Sequence, residues 1–266
     1  MEGFNSAATA YNSQNALWLG KAAALAYEEI TTVKQSLPGW DVTPITSPKT
    51  DTEGFIAGND DLIVISFRGT EPGELKDWLV DLDMEMVHGP AGKVHEGFYD
   101  AVSSIWEELV AALRRIRQNG QTLWITGHSL GGAVAIIACA RLLKEEVVTF
   151  INGVYTFGQP RSGDRNFAAW LDGAMKTRII RLVNNNDIVP HLPLPPLYKH
   201  AGTFLYFDSD EKIQVGNGFW QCLKDRLESQ VKSLYVDKFV PDEIEDHFMA
   251  NYLEQLEKNV ARQPKG

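Results

Sequence analysis

The chain has 266 residues, of which 44% are hydrophobic and 23% charged, and its formal net charge at pH 7 is -10. This composition is typical of one large folded domain, and no run of about 20 apolar residues is present that could span a bilayer. The negative charge argues against nucleic acid as a partner, because the phosphate backbone would be repelled.

Cysteine usage and the N-terminus bear on the compartment. Cys139 lies in an apolar run and is expected to be a buried free thiol, and with Cys222 as the second cysteine no disulfide framework is indicated. The first residues lack the basic start and apolar run of a signal peptide. We therefore expect a cytoplasmic protein, or a secreted one if the chain starts at a mature N-terminus.

The N-terminal half predicts a helix, three strands and a second, longer helix. Residues 15–29 are rich in alanine and leucine and predict a helix capped by Asn12 or Ser13. Strands are predicted at 40–45, 53–57 and 62–67, the last of them continuously apolar. Apolar residues three and four positions apart predict an amphipathic helix over 101–118, ended by Asn119-Gly120.

The segment after this helix contains the pattern Gly-x-Ser-x-Gly at Gly127-His128-Ser129-Leu130-Gly131. A strand-like run precedes it and an apolar, helix-forming run follows it, which is the context of a nucleophile elbow. Gly127 and Gly131 lack the Cβ atoms that would clash in so sharp a turn. The alternative is an ordinary glycine-rich turn. The helix predicted over 101–118 follows an earlier strand and leads directly into this strand, which predicts a β–α–β crossover and a mostly parallel sheet.

Further elements are predicted downstream of the elbow. Strands are expected at 153–157, 178–183 and 202–207, and the last is expected to turn at 208–210 into a hairpin with Ile213. Helices are expected at 167–172, 218–229 and 248–258. Because no internal repeat, low-complexity tract or linker is evident, we expect one domain over residues 1–266.

Three motifs carry a resemblance to a known family. In chain order they are Phe67-Arg68-Gly69-Thr70, Gly127-His128-Ser129-Leu130-Gly131-Gly132 and Thr156-Phe157-Gly158-Gln159-Pro160-Arg161. Together they resemble the class 3 lipases of the filamentous-fungal triacylglycerol lipase type, over residues 15–256. The resemblance implies an α/β-hydrolase fold, in which helices flank a central, mostly parallel sheet and a short helical lid is present. It also implies hydrolysis of carboxylic esters.

Ser129 is the candidate nucleophile, and a serine hydroxyl needs a base and a group that orients the base. In α/β-hydrolases the chain order is serine, acid, histidine. Asp187 follows the predicted strand 178–183, as the acid should. A turn aspartate is the alternative, but residues 187–193 resemble the acid loop of the family.

Six histidines compete for the role of the base: His88, His95, His128, His191, His200 and His247. The first two precede the nucleophile, which is the wrong order for this fold. His128 is expected to point away from the nucleophile, and His191 is too close to Asp187 in sequence, although it is a candidate for lining a pocket. His247 stands in a loop before a predicted helix, in an Asp-His segment like that of the family. We choose His247, with His200 as the second candidate.

The oxyanion hole needs two N–H groups aimed at the same point. The N–H of Leu130, after the nucleophile, is expected to be one of them. In class 3 lipases the residue that matches Thr70 supplies the other and steadies it with its hydroxyl. A threonine that only caps the next helix is the alternative.

The segment after Thr70 places Leu75, Trp78, Leu79 and Leu82 on one helical stripe. It resembles the lid of the family and follows a hinge-like Pro72-Gly73. A fixed surface helix is the alternative. Two further residues complete the expected lid and substrate-binding set, one on the elbow and one in the proline-rich loop after Asp187: His128 and Leu192.

These observations predict a cofactor-free serine ester hydrolase that acts on ester or acylglycerol substrates and contacts a lipid interface through its lid. Feruloyl or short-chain esterase and phospholipase activities are the enzymatic alternatives. A catalytically silent binding scaffold is the alternative outside enzymes. Histidines and carboxylates are scattered without the spacing of a zinc site, so no metal is expected.

Overall fold

A central β-sheet organises the computed structural model, which describes residues 3–82, 84–118, 120–184, 187–207, 213–215 and 245–262. Within these residues the sheet has eight strands, and a separate hairpin has two. The strands are β1 (Asp41–Ser47), β2 (Thr52–Gly58), β3 (Leu62–Phe67), β4 (Met86–Gly89), β5 (Gly92–His95), β6 (Thr122–His128), β7 (Gly153–Phe157), β8 (Ile179–Asn184), β9 (Thr203–Phe207) and β10 (Ile213–Val215).

The strand order of the central sheet is β1-β2-β3-β6-β7-β8-β9-β10. Strands β3, β6, β7, β8 and β9 run parallel, and antiparallel pairs close the sheet at both edges. Gly127 pairs with Phe67 on one side and with Thr156 on the other. The carboxyl ends of the parallel strands therefore meet at one edge, where ligands bind in open α/β sheets.

Helices cover both faces of the sheet. They are α1 (Ser13–Leu25), α2 (Ile30–Ser36), α3 (Leu75–Asp81), α4 (Glu96–Ile116), α5 (Leu130–Lys144), α6 (Arg165–Met175) and α7 (Met249–Ala261). Helices α4, α5 and α6 bury their apolar residues in one core cluster, and α1 and α7 bury theirs in the cluster on the other face. Helix α4 is amphipathic, with acidic Glu96 in its first turn and Arg114 and Arg115 in its last, which suits the helix dipole.

The predicted fold class is confirmed, since helices flank a mostly parallel sheet. The side chain of Asn12 caps α1 by accepting the N–H of Asn15 at 3.0 Å. The predicted helix at 15–29 was too long, because α1 ends at Leu25 and tight turns lead into α2, which was not predicted. The predicted helix 218–229, the turn 208–210, Asn119 and Cys222 lie outside the described residues.

The start of one helix and the presence of one hairpin also differ from expectation. Helix α4 begins at Glu96, five residues before the predicted start. The prediction missed the first turn because that turn contains Gly97, a poor helix former. The hairpin of β4 and β5 was not predicted; its strands are only four residues long and only partly buried. In the described part of the chain, the helices are too short or too polar to cross a bilayer.

Candidate active site

Ser129 stands in the sharp turn between β6 and α5. Its φ of 56° lies in the left-handed region, which costs a residue other than glycine about 1–3 kcal/mol. A Cβ on Gly127 would lie 2.3 Å from the carbonyl oxygen of Gly131, and one on Gly131 would lie 2.2 Å from that of Phe67. The backbone N–H of Ser129 donates to the Phe157 carbonyl at 2.9 Å. The turn therefore has the geometry of a nucleophile elbow.

The carboxylate of Asp187 is fully buried and accepts several hydrogen bonds. Its Oδ2 lies 2.8 Å from Nδ1 of His247 and 2.6 Å from the hydroxyl of Tyr252. Its Oδ1 accepts the N–H of Val189 at 2.9 Å. Burial alone would raise the pKa of Asp187, but the His247 imidazole and these hydrogen bonds together lower it below its ordinary value. The group is therefore a carboxylate at neutral pH.

His247 is 1% exposed and donates its Nδ1 proton to Asp187, because a carboxylate can only accept. This fixes the tautomer and leaves the lone pair on Nε2. The Oγ of Ser129 and the Nε2 of His247 are both buried, and neither has a hydrogen-bond partner within the described ranges. The His247 ring lies 4.6 Å from that of His128, the neighbour of Ser129. The structure thus brings Ser129, Asp187 and His247 into one buried cluster.

The second candidate for the base, His200, lies elsewhere. Its Nε2 donates to the carbonyl of Pro190 at 2.7 Å. Burial, with Arg181 and Arg161 nearby, lowers its pKa well below the ordinary value. His191 is in the short 3-10 helix after Asp187, and burial lowers its pKa to about 3. The carboxylate of Asp187 bonds instead to His247, Tyr252 and the N–H of Val189.

His128 does not lie with the lid residues, where it was expected. It is buried behind the triad, with Nδ1 2.7 Å from the Tyr27 hydroxyl and Nε2 2.6 Å from the carbonyl oxygen of His247. Side chains alternate along a strand, so His128 points to the opposite side from its neighbours on β6 and meets the segments packed there. The expectation that it points away from the nucleophile and the expectation that it binds substrate were in conflict, and the contacts agree with the first.

Thr70 and Leu130 both line a cavity of about 720 Å³. Leu130 is the first residue of α5, where backbone N–H groups are free of intrahelical partners. The Oγ1 of Thr70 is buried without a hydrogen-bond partner in the described part of the chain. Arg68, just before this loop, forms ion pairs with Glu53 and Glu71 that fix its start. This arrangement suits two donors that converge on one oxyanion.

Helix α3 presents its predicted stripe to the site. Leu75 and Leu79 are buried and form one apolar cluster with Ile188 and Val189. Three partly buried side chains complete this cluster: Trp78, Leu192 and Phe248. Trp78 also stacks on Phe98 of α4, with 6.5 Å between ring centroids, and Leu82 packs on the larger core.

The position of this cluster matters for access. Ile188 directly follows Asp187, and Phe248 directly follows His247 in the chain. Helix α3 therefore packs on the segments that carry the acid and the base. Ser129 and Asp187 have no exposed surface. In this structure the cluster of Ser129, Asp187 and His247 is closed to solvent.

The cavity beside the oxyanion residues lies between α3 and the start of α4. Apolar side chains form part of its lining: Trp78, Leu82, Phe98 and Val134. Carboxylates form another part: Glu71, Glu74, Asp77, Glu96 and Asp100. Within the described ranges, no group of three or more His, Cys, Asp or Glu side chains could hold a metal ion.

Sequence analysis missed two tyrosines of the site. Tyr252 donates to Asp187, and its position five residues after His247, close to the Asp-His segment that resembles the family, was the available signal. Tyr27 holds His128 but lay inside the predicted helix 15–29, so nothing in the sequence marked it. Only the folded chain shows that the segment after α1 reaches the elbow.

Comparisons with known proteins agree with this geometry. The model of the family described as Lipase (class 3) matches residues 64–196. The triacylglycerol lipase OBL1 of Arabidopsis thaliana is 34% identical over 196 residues, covering 56% of this chain and 38% of the plant protein. The lipase of Rhizomucor miehei is 38% identical over 179 residues, covering 62% of this chain and 48% of the fungal protein. The chain thus spans about half or less of the length of these relatives.

A solved structure extends the comparison to the fold. That structure is of a triacylglycerol lipase whose catalytic centre is described as a serine protease triad. It superposes with a TM-score of 0.65 at 30% identity, covering 77% of this chain and 85% of that one. The expectation of a cytoplasmic location receives no support from these relatives.

Proposed function

Since the chain belongs to the class 3 lipase family, we propose that it is a serine carboxylic-ester hydrolase of the triacylglycerol-lipase type. The observation that carries the proposal is the buried contact between His247 and Asp187 beside the strained Ser129 turn. The names of the relatives, triacylglycerol lipase and lipase, support the same class of substrate. The proposal treats residues 1–266 as one hydrolase domain.

The proposed reaction begins when the Oγ of Ser129 attacks the ester carbonyl carbon. Nε2 of His247 takes the hydroxyl proton, and the carboxylate of Asp187 stabilises the imidazolium that forms. The backbone N–H groups of Thr70 and Leu130 donate to the oxyanion. The imidazolium then protonates the departing alcohol, which leaves an acyl-enzyme. Water attacks the acyl-enzyme by the same route, releases the carboxylic acid and restores Ser129.

We further propose that α3 is a lid. Its support is the closed state itself, because a nucleophile with no exposed surface cannot receive a substrate until something moves. The stripe of Leu75, Trp78 and Leu79 covers the segments of the acid and the base, whereas Val80 on the opposite side is 71% exposed. An apolar interface would offer the stripe an alternative partner when the lid opens.

The proposed substrates are neutral acylglycerols at a lipid interface. Long apolar chains suit the apolar residues under the lid, and a neutral ester is not repelled by the negative net charge. A soluble short-chain esterase would need no exchange of apolar partners at the lid. Hydrolysis of acylglycerols at an interface therefore requires α3 to exchange its apolar partners, whereas hydrolysis of soluble short-chain esters does not.

Labelling with a fluorophosphonate tests the proposed chemistry, and a series of esters tests the substrate class. We expect stoichiometric labelling at Ser129, loss of labelling in Ser129→Ala, and faster hydrolysis of emulsified long-chain glycerides than of the same esters below their solubility limit. Absence of labelling in folded protein at a lipid interface, where the proposed lid opens, would refute the hydrolase. Labelling without any gain at the interface would refute the lipase type and favour a short-chain esterase.

A further inference from the structure

Behind the triad, a chain of hydrogen bonds connects three separate parts of the site. The hydroxyl of Tyr27 lies 2.7 Å from Nδ1 of His128, and Nε2 of the same ring lies 2.6 Å from the carbonyl oxygen of His247. The backbone of Gly69 forms a hydrogen bond to the Tyr27 hydroxyl. His128 and His247 are 4% and 1% exposed, so the histidine end of the chain is shielded from water, whereas Tyr27 is only partly buried.

Simple donor and acceptor rules fix the direction of this chain. The carbonyl of His247 can only accept, so Nε2 of His128 carries a proton. Burial, reinforced by the neighbouring His247, lowers the pKa of His128 to about 3, so the ring is neutral and Nδ1 keeps its lone pair. The Tyr27 hydroxyl must therefore donate to Nδ1, and its oxygen accepts from the N–H of Gly69.

This hydrogen-bond chain connects the three segments that must cooperate in the proposed catalysis. Gly69 directly precedes Thr70 of the oxyanion hole, and His128 directly precedes Ser129. The three segments are also in close contact, since a Cβ on Gly69 would lie 2.4 Å from the Tyr27 hydroxyl and 3.0 Å from the Ser129 Cβ. A displacement of any one segment would be transmitted to the others.

We propose that Tyr27 and His128 are positioning residues, which hold the base and the oxyanion loop at fixed distances from Ser129. The inference rests on the proposed hydrolase function. Neither side chain takes part in bond making: His128 holds the backbone of His247, and Tyr27 holds both His128 and Gly69. They stabilise the transition state more than the bound substrate, because displacing the reacting groups by about 1 Å can reduce the reaction rate up to 10²-fold.

Tyr27→Phe is the mildest test, because it removes only the hydroxyl. We expect kcat on a soluble short-chain ester to fall about 10-fold, with KM changed less than about 2-fold. The matched control is Tyr11→Phe. Tyr11 is also partly buried, and its hydroxyl donates to Oδ1 of Asn259 at 3.1 Å, away from the triad. The control should lose a similar amount of thermal stability and keep its kcat.

His128 is tested by partial rescue. The glutamine in His128→Gln retains an N–H that can donate to the carbonyl of His247, whereas the side chain in His128→Leu retains none. We expect kcat to fall about 10-fold in the first variant and about 100-fold in the second. Each kcat is calculated from the concentration of active sites, determined by titration. If His128 contributed only to packing, the variant with the lower melting temperature would instead show the larger loss in kcat.

The double variant Tyr27→Phe/His128→Leu completes the design. Because the two residues share one hydrogen bond, the loss in kcat of the double variant should be smaller than the product of the two single losses. Wild-type protein that a fluorophosphonate does not label at a lipid interface would refute the hydrolase itself. Active wild type, with Tyr27→Phe equal to Tyr11→Phe in kcat or with fully multiplicative losses in the double variant, would refute only the positioning chain.

Discussion

The hydroxyl of Tyr252 lies 2.6 Å from Oδ2 of Asp187, and the same hydroxyl oxygen accepts the backbone N–H of Asn184 at 3.0 Å. Asn184 ends β8, so this tyrosine ties helix α7 to the strand that leads into the acid loop. His247 stands two residues before α7. The acid and the base are thus held by one helix from the C-terminal end of the chain.

Asp187→Asn should preserve the fold but remove the negative charge that fixes the tautomer of His247 and stabilises its protonated form. The corresponding change in a serine protease costs about 10⁴ in kcat, and we expect a loss of that order here. Turnover of a soluble ester, with the melting temperature on the same sample, measures it. Turnover near that of the wild type would mean that another carboxylate orients the base.

The base assignment is tested by His247→Ala and His200→Ala measured side by side. The first should lose about 10⁴-fold or more in kcat, because the triad loses its proton acceptor. The second removes a side chain that bonds to the Pro190 carbonyl, so its main effect should be on stability. The reverse ranking in kcat, per folded molecule, would assign the base to His200.

Acid should begin to destabilise the fold below pH 6.5, because two buried histidines stay neutral in the folded chain. Burial lowers the pKa of His128 and His191 to about 3 from 6.5, so below pH 6.5 the unfolded chain binds protons that the folded chain does not. Stability is therefore complete above that pH and falls as the pH is lowered towards 3, by up to about 1.4 kcal/mol per pH unit for each histidine. Asp187, whose pKa is lowered, adds to this loss only below 3.8.

Urea unfolding between pH 7 and pH 4.5 measures this slope. The variant His128→Gln should reduce the slope by up to about 1.4 kcal/mol per pH unit. His88→Gln, at an exposed position in β4, is the matched control for the same type of substitution. Equal slopes in the wild type and His128→Gln would show that His128 is not held neutral in the folded chain.

Trp78→Ala separates a lid from a fixed helix. As part of a lid, Trp78 exchanges its contact with Phe98 for lipid, so its loss should reduce hydrolysis of emulsified long-chain esters more than that of a soluble ester. Stability should change little, since a mobile element contributes few core contacts. A fixed core tryptophan would cost about 3–5 kcal/mol. Such a loss, with equal damage to both activities, would contradict the lid.

The parts of the site that depend on local chain geometry were predictable from the sequence. The elbow at Ser129 needs glycines at fixed spacing, and these are visible in any single sequence. The parallel sheet was predicted because apolar runs alternated with helical periodicity. Asp187 could be placed because it follows a strand and its loop resembles that of the family. Chain order excluded two of the six histidines, and the positions of His128 and His191 next to Ser129 and Asp187 left two candidates.

Contacts between segments that are distant in the sequence were harder to predict. The Tyr27–His128 pair spans 101 residues, and nothing local to either residue indicates it. His128 was accordingly placed with the substrate-binding residues, although alternation along β6 turns it to the opposite side. The lid stripe was predicted from its period, but its packing on Ile188 and Val189 required the whole fold.

The central claim is that Ser129 is the nucleophile, and the kcat of Ser129→Ala tests it most directly. The purified variant should melt within a few degrees of the wild type, because a small hydroxyl with no hydrogen-bond partner in the described structure is lost. Its kcat on a soluble ester should fall by about 10⁴–10⁶. A folded Ser129→Ala protein that retains a tenth of the wild-type kcat would contradict the account.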